Sequence, residues 1–325
     1  MISVPSIPSQ NISGRHLRAF DVQRDLAPVA DLVELCFADT LDPDGKRYIQ
    51  RMRSAAKNRG FLRWAALNVE VPNMPFTGYV WELDGNLIGN ASLIPYRVKG
   101  QATYLIANVA VHPDHRREGI ARALTLRSMD HARKKGTAEI WLHVRQENDQ
   151  ALDLYSSLGF AEKARRTTWI GEQETVSGGH ENGLIIKSSV PGNWEHIKAW
   201  ITNNYPDEVS WHLPLNLKAL RPGFWGALYR FLLHVNIRQW SVYRGADLSA
   251  VLSWQAASTH ADSLWLAAPS DAADDAVGAL LSNARRDLRS KRTLRLDYPA
   301  DQNKDGLQSA DFHPQQTLIW MSRGF

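Results

Sequence analysis

The sequence lacks most of what would mark it as secreted, membrane-spanning or metal-bound. It has one cysteine in 325 residues, Cys36, so no intrachain disulfide can form. The missing disulfide framework fits a reducing compartment. Cys36 lies where apolar residues recur at helical spacing, so it reads as a small buried hydrophobe rather than a nucleophile. No apolar run is long enough to span a bilayer. Met1 to Ser13 has no charged segment leading into an apolar one, so no signal peptide is expected and a cytoplasmic location is. The 11 histidines are scattered and none has ligand spacing with a carboxylate or cysteine, which predicts no metal. No nucleophile elbow is present to support a Ser/His/Asp arrangement. The cation excess is small, 38 Lys+Arg against 34 Asp+Glu, giving +4. That excess does not indicate a nucleic-acid partner. No membrane partner is expected either, and the sequence does not encode the oligomeric state.

What is present is an alternation of strand and helix patterns. The first half predicts a strand at His16 to Phe20, helices over Leu26 to Phe37 and Asp44 to Lys57, and a hairpin of Gly78 to Leu83 and Leu87 to Tyr96. The hairpin turns on Asp84-Gly85-Asn86. Strand Leu105 to Val111, a helix from about Ile120 to Lys135, strand Ala138 to Val144, helix Asp149 to Ser157 and strand Lys163 to Ile170 follow. The Gly/Ser-rich polar stretch ending at Gly183 reads as a linker. The second half then predicts the same order of elements, which suggests a duplicated domain. Its segment Trp211 to Trp240 is rich in aromatics (Trp211, Phe224, Trp225, Tyr229, Phe231, Trp240). Packing against the sheet or the other domain is the default expectation, a substrate-lining lid is the alternative, and a membrane-surface helix is disfavoured because the polar face is not strongly basic.

The chemistry concentrates between Asn108 and Phe160. A strand, Val109-Ala110-Val111, enters a basic loop with Arg116, Arg117 and Glu118, and Gly119-Ile120-Ala121 opens a helix. Free N–H groups and the positive end of the macrodipole face outward at a helix start, which suits phosphate oxygens. Gly119 has no Cβ, so an anion can approach the backbone closely. Taken alone, this piece reads equally well as a surface turn with solvated arginines.

Its neighbours add a second pattern. Val109, Val111 and Pro113 precede the loop. Asn148, Ala151, Leu154, Tyr155, Gly159 and Phe160 follow the next strand. Together with Arg116, Gly119 and Ala121, these resemble the acetyl-CoA core of the GNAT superfamily of N-acetyltransferases. The motif resemblance covers roughly Gly78 to Ile170. It implies an α/β (α+β) fold of two GNAT-like domains, each a mixed, mostly antiparallel sheet flanked by helices. The catalytic domain is expected over 1–172, a linker over 173–183 and a degenerate domain over 184–325.

The resemblance also implies roles. The fourth strand should carry a bulge and splay from the fifth. The backbone of Val109, Ala110 and Val111 should meet the pantetheine arm and polarise the thioester. The N–H groups of Arg117, Glu118, Gly119, Ile120 and Ala121, with the charge of Arg116, should hold the pyrophosphate. Asn148 should touch the coenzyme arm, and Tyr155 should act as general acid. The alternative for Tyr155 is a half-buried helix aromatic. The fourth strand has no ionisable side chain to serve as base. Asn108 there can only position water or substrate, and His112 and His143 are base candidates by position. The acceptor would be chosen by the stretch from Thr40 to Thr77, which holds Asp42, Asp44 and Glu70.

The second half should not bind the coenzyme. Laying Pro269 on Pro113 puts Asp275 where Gly119 stands and Ala272 opposite Arg116, which replaces the anion cradle with carboxylates. The expected function is therefore transfer of acetyl from acetyl-CoA to a primary amine of a small molecule, amino acid or peptide. A non-catalytic acyl-CoA sensor and a transferase for a longer acyl-CoA are the alternatives.

Overall fold

The structure is a computed structural model and describes residues 15–98, 100–172, 183–188, 194–257, 260–288 and 292–325. The expected linker at 173–183 lies outside these apart from Gly183, as does the N-terminal stretch read for a signal peptide.

The first half contains β1 (Arg15–Ala19), α1 (Val22–Phe37), α2 (Pro43–Ala56), α3 (Arg59–Leu67), β2 (Thr77–Leu83), β3 (Asn86–Val98), β4 (Gln101–Val111), α4 (Ile120–Lys134), β5 (Glu139–Arg145), α5 (Asp149–Ser157) and β6 (Ala161–Gly171). The second half contains β7 (Leu184–Lys187), α6 (Trp194–Asn204), α7 (Asp207–Ser210), α8 (Leu217–Leu220), α9 (Gly223–Leu232), β8 (Ile237–Arg244), β9 (Asp247–Gln255), β10 (Ala261–Ala267), α10 (Asp274–Leu288), β11 (Thr293–Pro299), α11 (Lys304–Ser309) and β12 (Phe312–Gly324). From β1 to β6 and from β7 to β12 the order of strands and helices is closely parallel, as a duplicated domain requires.

Two compact units form. One comprises Met1–His143, Gln150–Ala161 and Ser322–Phe325, and the other Val144–Asp149 and Glu162–Met321. The units therefore do not part at residue 172. The reason is pairing: β6 binds β11 antiparallel from Gly171↔Leu294 to Arg166↔Pro299, so it belongs with the second unit.

In the first unit the strands run in the order β1-β2-β3-β4-β5, antiparallel except for the parallel pair β4–β5. Asp21 starts α1 by accepting from the Gln23 N–H at 2.9 Å, and Asp42 caps α2 through the Gly45 N–H at 2.7 Å. The buried face of α1 (Leu26, Val29, Val33) meets Val80 of β2 and Ala110 of β4. Gly89 of β3 instead faces Ile120 and Leu124 of α4. Helices α1 and α4 thus cover residues that alternate along the strands. In the second unit β10–β11 is again the parallel pair, and β7, β8, β9 and β10 pair antiparallel in sequence.

Candidate active site

The site is built on an irregularity of β4. Pairing with β3 runs unbroken from Val98↔Gln101 to Ser92↔Ala107, then resumes only at Asn90↔Ala110. Ala91 therefore opposes two residues, Asn108 and Val109, which defines a β-bulge. Asn108 has φ +50°, a left-handed conformation that asparagine tolerates and a β-branched residue resists. Fully buried Asn90 fixes the bulge: its Nδ2 donates to the Asn108 carbonyl at 2.8 Å and to Ser92 Oγ at 3.2 Å. On the other side, Asn108 Nδ2 donates to the Tyr48 hydroxyl of α2 at 3.1 Å.

Past the bulge β4 leaves β5. Their parallel pairing covers Tyr104↔Ile140 to Ile106↔Leu142 and stops, although β4 continues to Val111. Val109, Ala110 and Val111 thus form a strand edge without β5 as partner. An extended, amide-bearing arm could pair with such an edge as an added strand does.

The strand then turns into α4. Arg117 (φ +68°) and Gly119 (φ +79°) both adopt left-handed backbone, and Gly119 is the N-cap. Left-handed residues in such a turn aim successive N–H groups at one concavity. A Cβ on Gly119 would meet no heavy atom within 4 Å, so the space above it is open. The first helical bond after this turn is Ala123 N–H to the Gly119 carbonyl at 3.0 Å. The preceding amides, those of Ile120 and Ala121 among them, lie in the first turn, where a helix supplies no acceptor. Arg116 folds back, with Nε donating to the Val111 carbonyl at 3.4 Å. Cys36 Sγ donates to the same carbonyl at 3.2 Å. Burial pushes the Cys36 thiol up, with nearby Arg116 acting against it, which leaves the sulfur a protonated packing group.

Tyr155 is buried on α5, edge-on to Phe160 with ring centroids 6.0 Å apart. Burial pushes its phenol well above the ordinary value, so it holds its proton throughout the neutral range. The helix ends at Gly159 (φ +83°), and Phe160 N–H returns to the Tyr155 carbonyl at 3.0 Å. Arg323, from the C-terminal segment of the same unit, lies against Gly159 and donates to the Leu158 carbonyl. Asn148 belongs to the second unit; its N–H donates to the Arg145 carbonyl at 3.0 Å in the turn before α5.

The remaining candidates have structural engagements. Glu70 accepts from the Tyr104 hydroxyl at 2.6 Å and pairs with Lys135 at 3.1 Å and His131 at 3.4 Å. Burial raises the Glu70 carboxyl, but these donors together hold it below its ordinary value. Asp42 caps α2, and His112 Nδ1 accepts from the Asp114 N–H at 3.3 Å. His143 is half-buried on β5. Two side chains that the motifs do not include prove integral to the bulge, Asn90 and Tyr48. Neither type is diagnostic at its position, so no sequence signal marks them.

The second unit lacks these features. Strand β10 pairs with β9 in unbroken register from Ser263↔Gln255 to Ala267↔Val251, with no bulge. Its pairing with β11 ends at Leu264↔Leu296, so the strands still diverge. The diverging edge is occupied by protein, however. Tyr205 Oη accepts from the Leu266 N–H at 3.4 Å, and Asn204 Nδ2 donates to the Leu266 and Ala268 carbonyls, each at 3.1 Å. Asp275, the counterpart of Gly119, is paired with Arg244 at 2.5 Å.

A bulged strand that parts from its parallel neighbour and leads into a helix with a left-handed glycine at its N-cap is the arrangement that the resemblance implies. Residues 61–160 match the family model described as Acetyltransferase (GNAT) family. Over 79 residues the chain is 39% identical to [Ribosomal protein bS18]-alanine N-acetyltransferase of Escherichia coli K12, which is 24% of this chain and 51% of that protein. The chain thus spans about half the length of the curated relatives it matches first. Among solved structures, a GCN5-related N-acetyltransferase from Sphaerobacter thermophilus aligns with a TM-score of 0.59 at 14% identity, covering 98% of this chain and 97% of that one. A tandem GNAT protein from the clavulanic acid biosynthesis pathway aligns with a TM-score of 0.51 at 15% identity, covering 95% and 98%. Both likenesses establish the fold. Among the described residues no helix is long and apolar enough to cross a membrane, and no group of three or more His, Cys, Asp or Glu residues is placed to hold a metal ion.

Proposed function

We propose that the chain transfers an acetyl group from acetyl-CoA to a primary amine, and that only the first unit is catalytic. The observation that carries this reading is the Asn108–Val109 bulge, with the open β4 edge leading directly into the Gly119 turn. The residues fit the coenzyme. Left-handed Gly119 leaves space where a phosphate oxygen would approach, and Arg117 adds positive charge beside it. Acetyl-CoA would supply an activated acetyl thioester. The edge amides of Val109 to Val111 would hold the arm and donate to the carbonyl oxygen as charge develops on it.

Tyr155 is proposed to donate to the departing sulfur. A thiol titrates near 8.5 and an ordinary phenol near 10. Burial raises Tyr155 further. Complete proton transfer to the thiolate is then uphill by about 1.4 kcal/mol for each unit of difference. Tyr155 therefore acts mainly by a strong hydrogen bond to the sulfur, and the proton lost by the amine can settle the charge. No carboxylate lies on β4, so the amine is proposed to enter neutral or to lose its proton to water or to one of the base candidates His112 and His143. The second unit is read as non-catalytic because Asn204 and Tyr205 already satisfy the strand edge a coenzyme would need. The match to the bS18-alanine acetyltransferase supports the amine acceptor as a class.

The test is calorimetric titration of acetyl-CoA into the wild type and Gly119→Asp. Saturable binding at one site per chain, lost in the variant, supports the proposal. No binding by folded wild type sinks it, and two sites would refute the assignment of the second unit.

A further inference from the structure

The aromatic segment of the second unit departs from the expectation that it packs. Trp240 is buried, but Phe224 is 73% exposed, Trp225 66%, Phe231 78% and Leu232 63%. All four lie on α9. At 100° per residue, Phe224, Leu228, Phe231 and Leu232 fall on one face of this helix. Its opposite face is fixed inward. Gly226 lies so close to the Arg221 carbonyl that a Cβ would sit 1.7 Å from the oxygen. Arg230 Nη1 donates to the Ala219 and Arg221 carbonyls at 2.9 and 3.0 Å, and Asn216 Nδ2 donates to the Tyr229 hydroxyl at 3.1 Å. The helix cannot roll its apolar face under without breaking these bonds, so it presents a ridge of large apolar side chains to solvent. A contiguous patch of this kind marks an interaction surface.

Charge identifies the occupant. Between Glu208 and Asp247 there is no acidic residue, while Lys218, Arg221, Arg230, Arg238 and Arg244 are all cationic. Arg230 is spent inside, and Arg244 is paired with Asp275. Arg238 donates to the Asp287 carbonyl at 3.3 Å, which leaves Lys218 and Arg221, both exposed, in the segment that leads into α9. A second copy of this face would bring like charges together with no local acid between them. Side chains that stand out from a convex helix suit a fluid surface that closes around them; a folded partner would need a matching groove. We propose that α9 docks the protein on an anionic lipid surface, with Phe224 and Phe231 entering the acyl boundary and Lys218 and Arg221 meeting headgroup phosphates. The sequence expectation of no membrane partner rested on a weakly basic polar face; the exposed apolar ridge shifts that balance. The proposal is independent of the acetyl-transfer reading.

The test is co-sedimentation of the full chain with vesicles of phosphatidylcholine and phosphatidylglycerol in equal parts, and with phosphatidylcholine alone. The expected result is binding to the mixed vesicles that weakens with salt, much less binding to phosphatidylcholine, and at least about a tenfold loss in F224S/F231S. The charge variant K218E/R221E should lose preference for the anionic vesicles. Both pairs are exposed, so circular dichroism should show each variant folded. Failure to bind the mixed vesicles overturns the proposal, as does binding unchanged in both variants. A dimer in sedimentation velocity that F224S/F231S abolishes, without vesicle binding, would assign the ridge to a second copy instead.

Discussion

The Asn90 side-chain amide donates to the Asn108 backbone carbonyl at 2.8 Å, joining neighbouring strands through the one point where their ladder is broken. A bulge leaves backbone groups without ladder partners, and a buried carbonyl left unpaired costs about 1–3 kcal/mol. Asn90 removes that penalty in the conformation in which Asn108 holds positive φ.

Asn90→Asp should therefore weaken the site beyond its effect on stability. A carboxylate cannot donate, and two acceptors would face each other in a buried place. The expected destabilisation is about 2–3 kcal/mol in urea unfolding, accompanied by at least about a tenfold loss of acetyl-CoA affinity by calorimetry. A stability loss with unchanged affinity would show that the bulge survives without this bond.

Tyr155→Phe separates binding from chemistry. The ring's packing against Phe160 is retained and only the hydroxyl is lost. The expected result is unchanged acetyl-CoA affinity with kcat lowered about a hundredfold or more, in the range typical of a lost hydrogen-bond donor to developing charge. Because burial raises the phenol, its ionisation should not shape the rate below pH of about 10. Wild type and variant should therefore show parallel pH–rate profiles up to that point. An alkaline limb present only in the wild type, with a midpoint near neutrality, would contradict this role.

What was legible in the sequence follows from what kind of signal each feature leaves. Strand β4, the Gly119 turn and α5 with Tyr155 and Gly159 were readable because tight turns and strand-to-helix junctions restrict residue type. Helix α5 spans Asp149–Ser157, as its pattern predicts. The bulge was expected only through the family resemblance; its own residues, Asn90 and Asn108, carry no periodic mark. Helices α3 and α9 were absent from the sequence reading because both leave large apolar residues exposed: Trp64 and Leu67 on α3, Phe224 and Phe231 on α9. A pattern that assumes apolar means inside cannot distinguish such helices from packed irregular chain. The exchange of β6 into the second unit was likewise invisible, since strand identity does not name a strand's partner.

The second unit should lose stability in alkali. Tyr205 and Tyr298 are fully buried, and burial pushes both phenols well above their ordinary value. In the unfolded chain they ionise near 10, whereas the folded chain retains their protons. Their contribution is thus intact below pH of about 10 and is lost as pH rises toward the folded values. The loss should be about 1.4 kcal/mol per pH unit for each phenol. Tyr298→Phe should reduce that slope by about one proton, measurable from urea midpoints between pH of about 9 and 11. Equal slopes for the two proteins would mean that Tyr298 ionises alike in both states.

Gly89 couples the packing of the sheet to the proposed anion cradle. A Cβ at this position would lie 2.8 Å from Ile120 Cγ2, 3.1 Å from Leu124 Cδ1 and 3.1 Å from Trp81 Cβ. Leu124 Cδ1 is a side-chain tip that can turn aside, but Ile120 Cγ2 is held close to the backbone in the first turn of α4, so relief is expected to shift the start of that helix away from β3. Overpacking of this kind costs about 1–3 kcal/mol. The displaced turn is also the one that carries the Gly119 amides, so Gly89→Ala should lower acetyl-CoA affinity although residue 89 touches no part of the proposed coenzyme path. Gly85→Ala supplies the comparison. It also replaces a glycine of the first unit, at φ +82° in the β2–β3 turn with no atom within 4 Å of its Cβ. Its expected effect is confined to backbone strain, with stability reduced and affinity unchanged. If both variants lose stability and neither loses affinity, the start of α4 tolerates displacement and the cradle does not depend on its seating against β3.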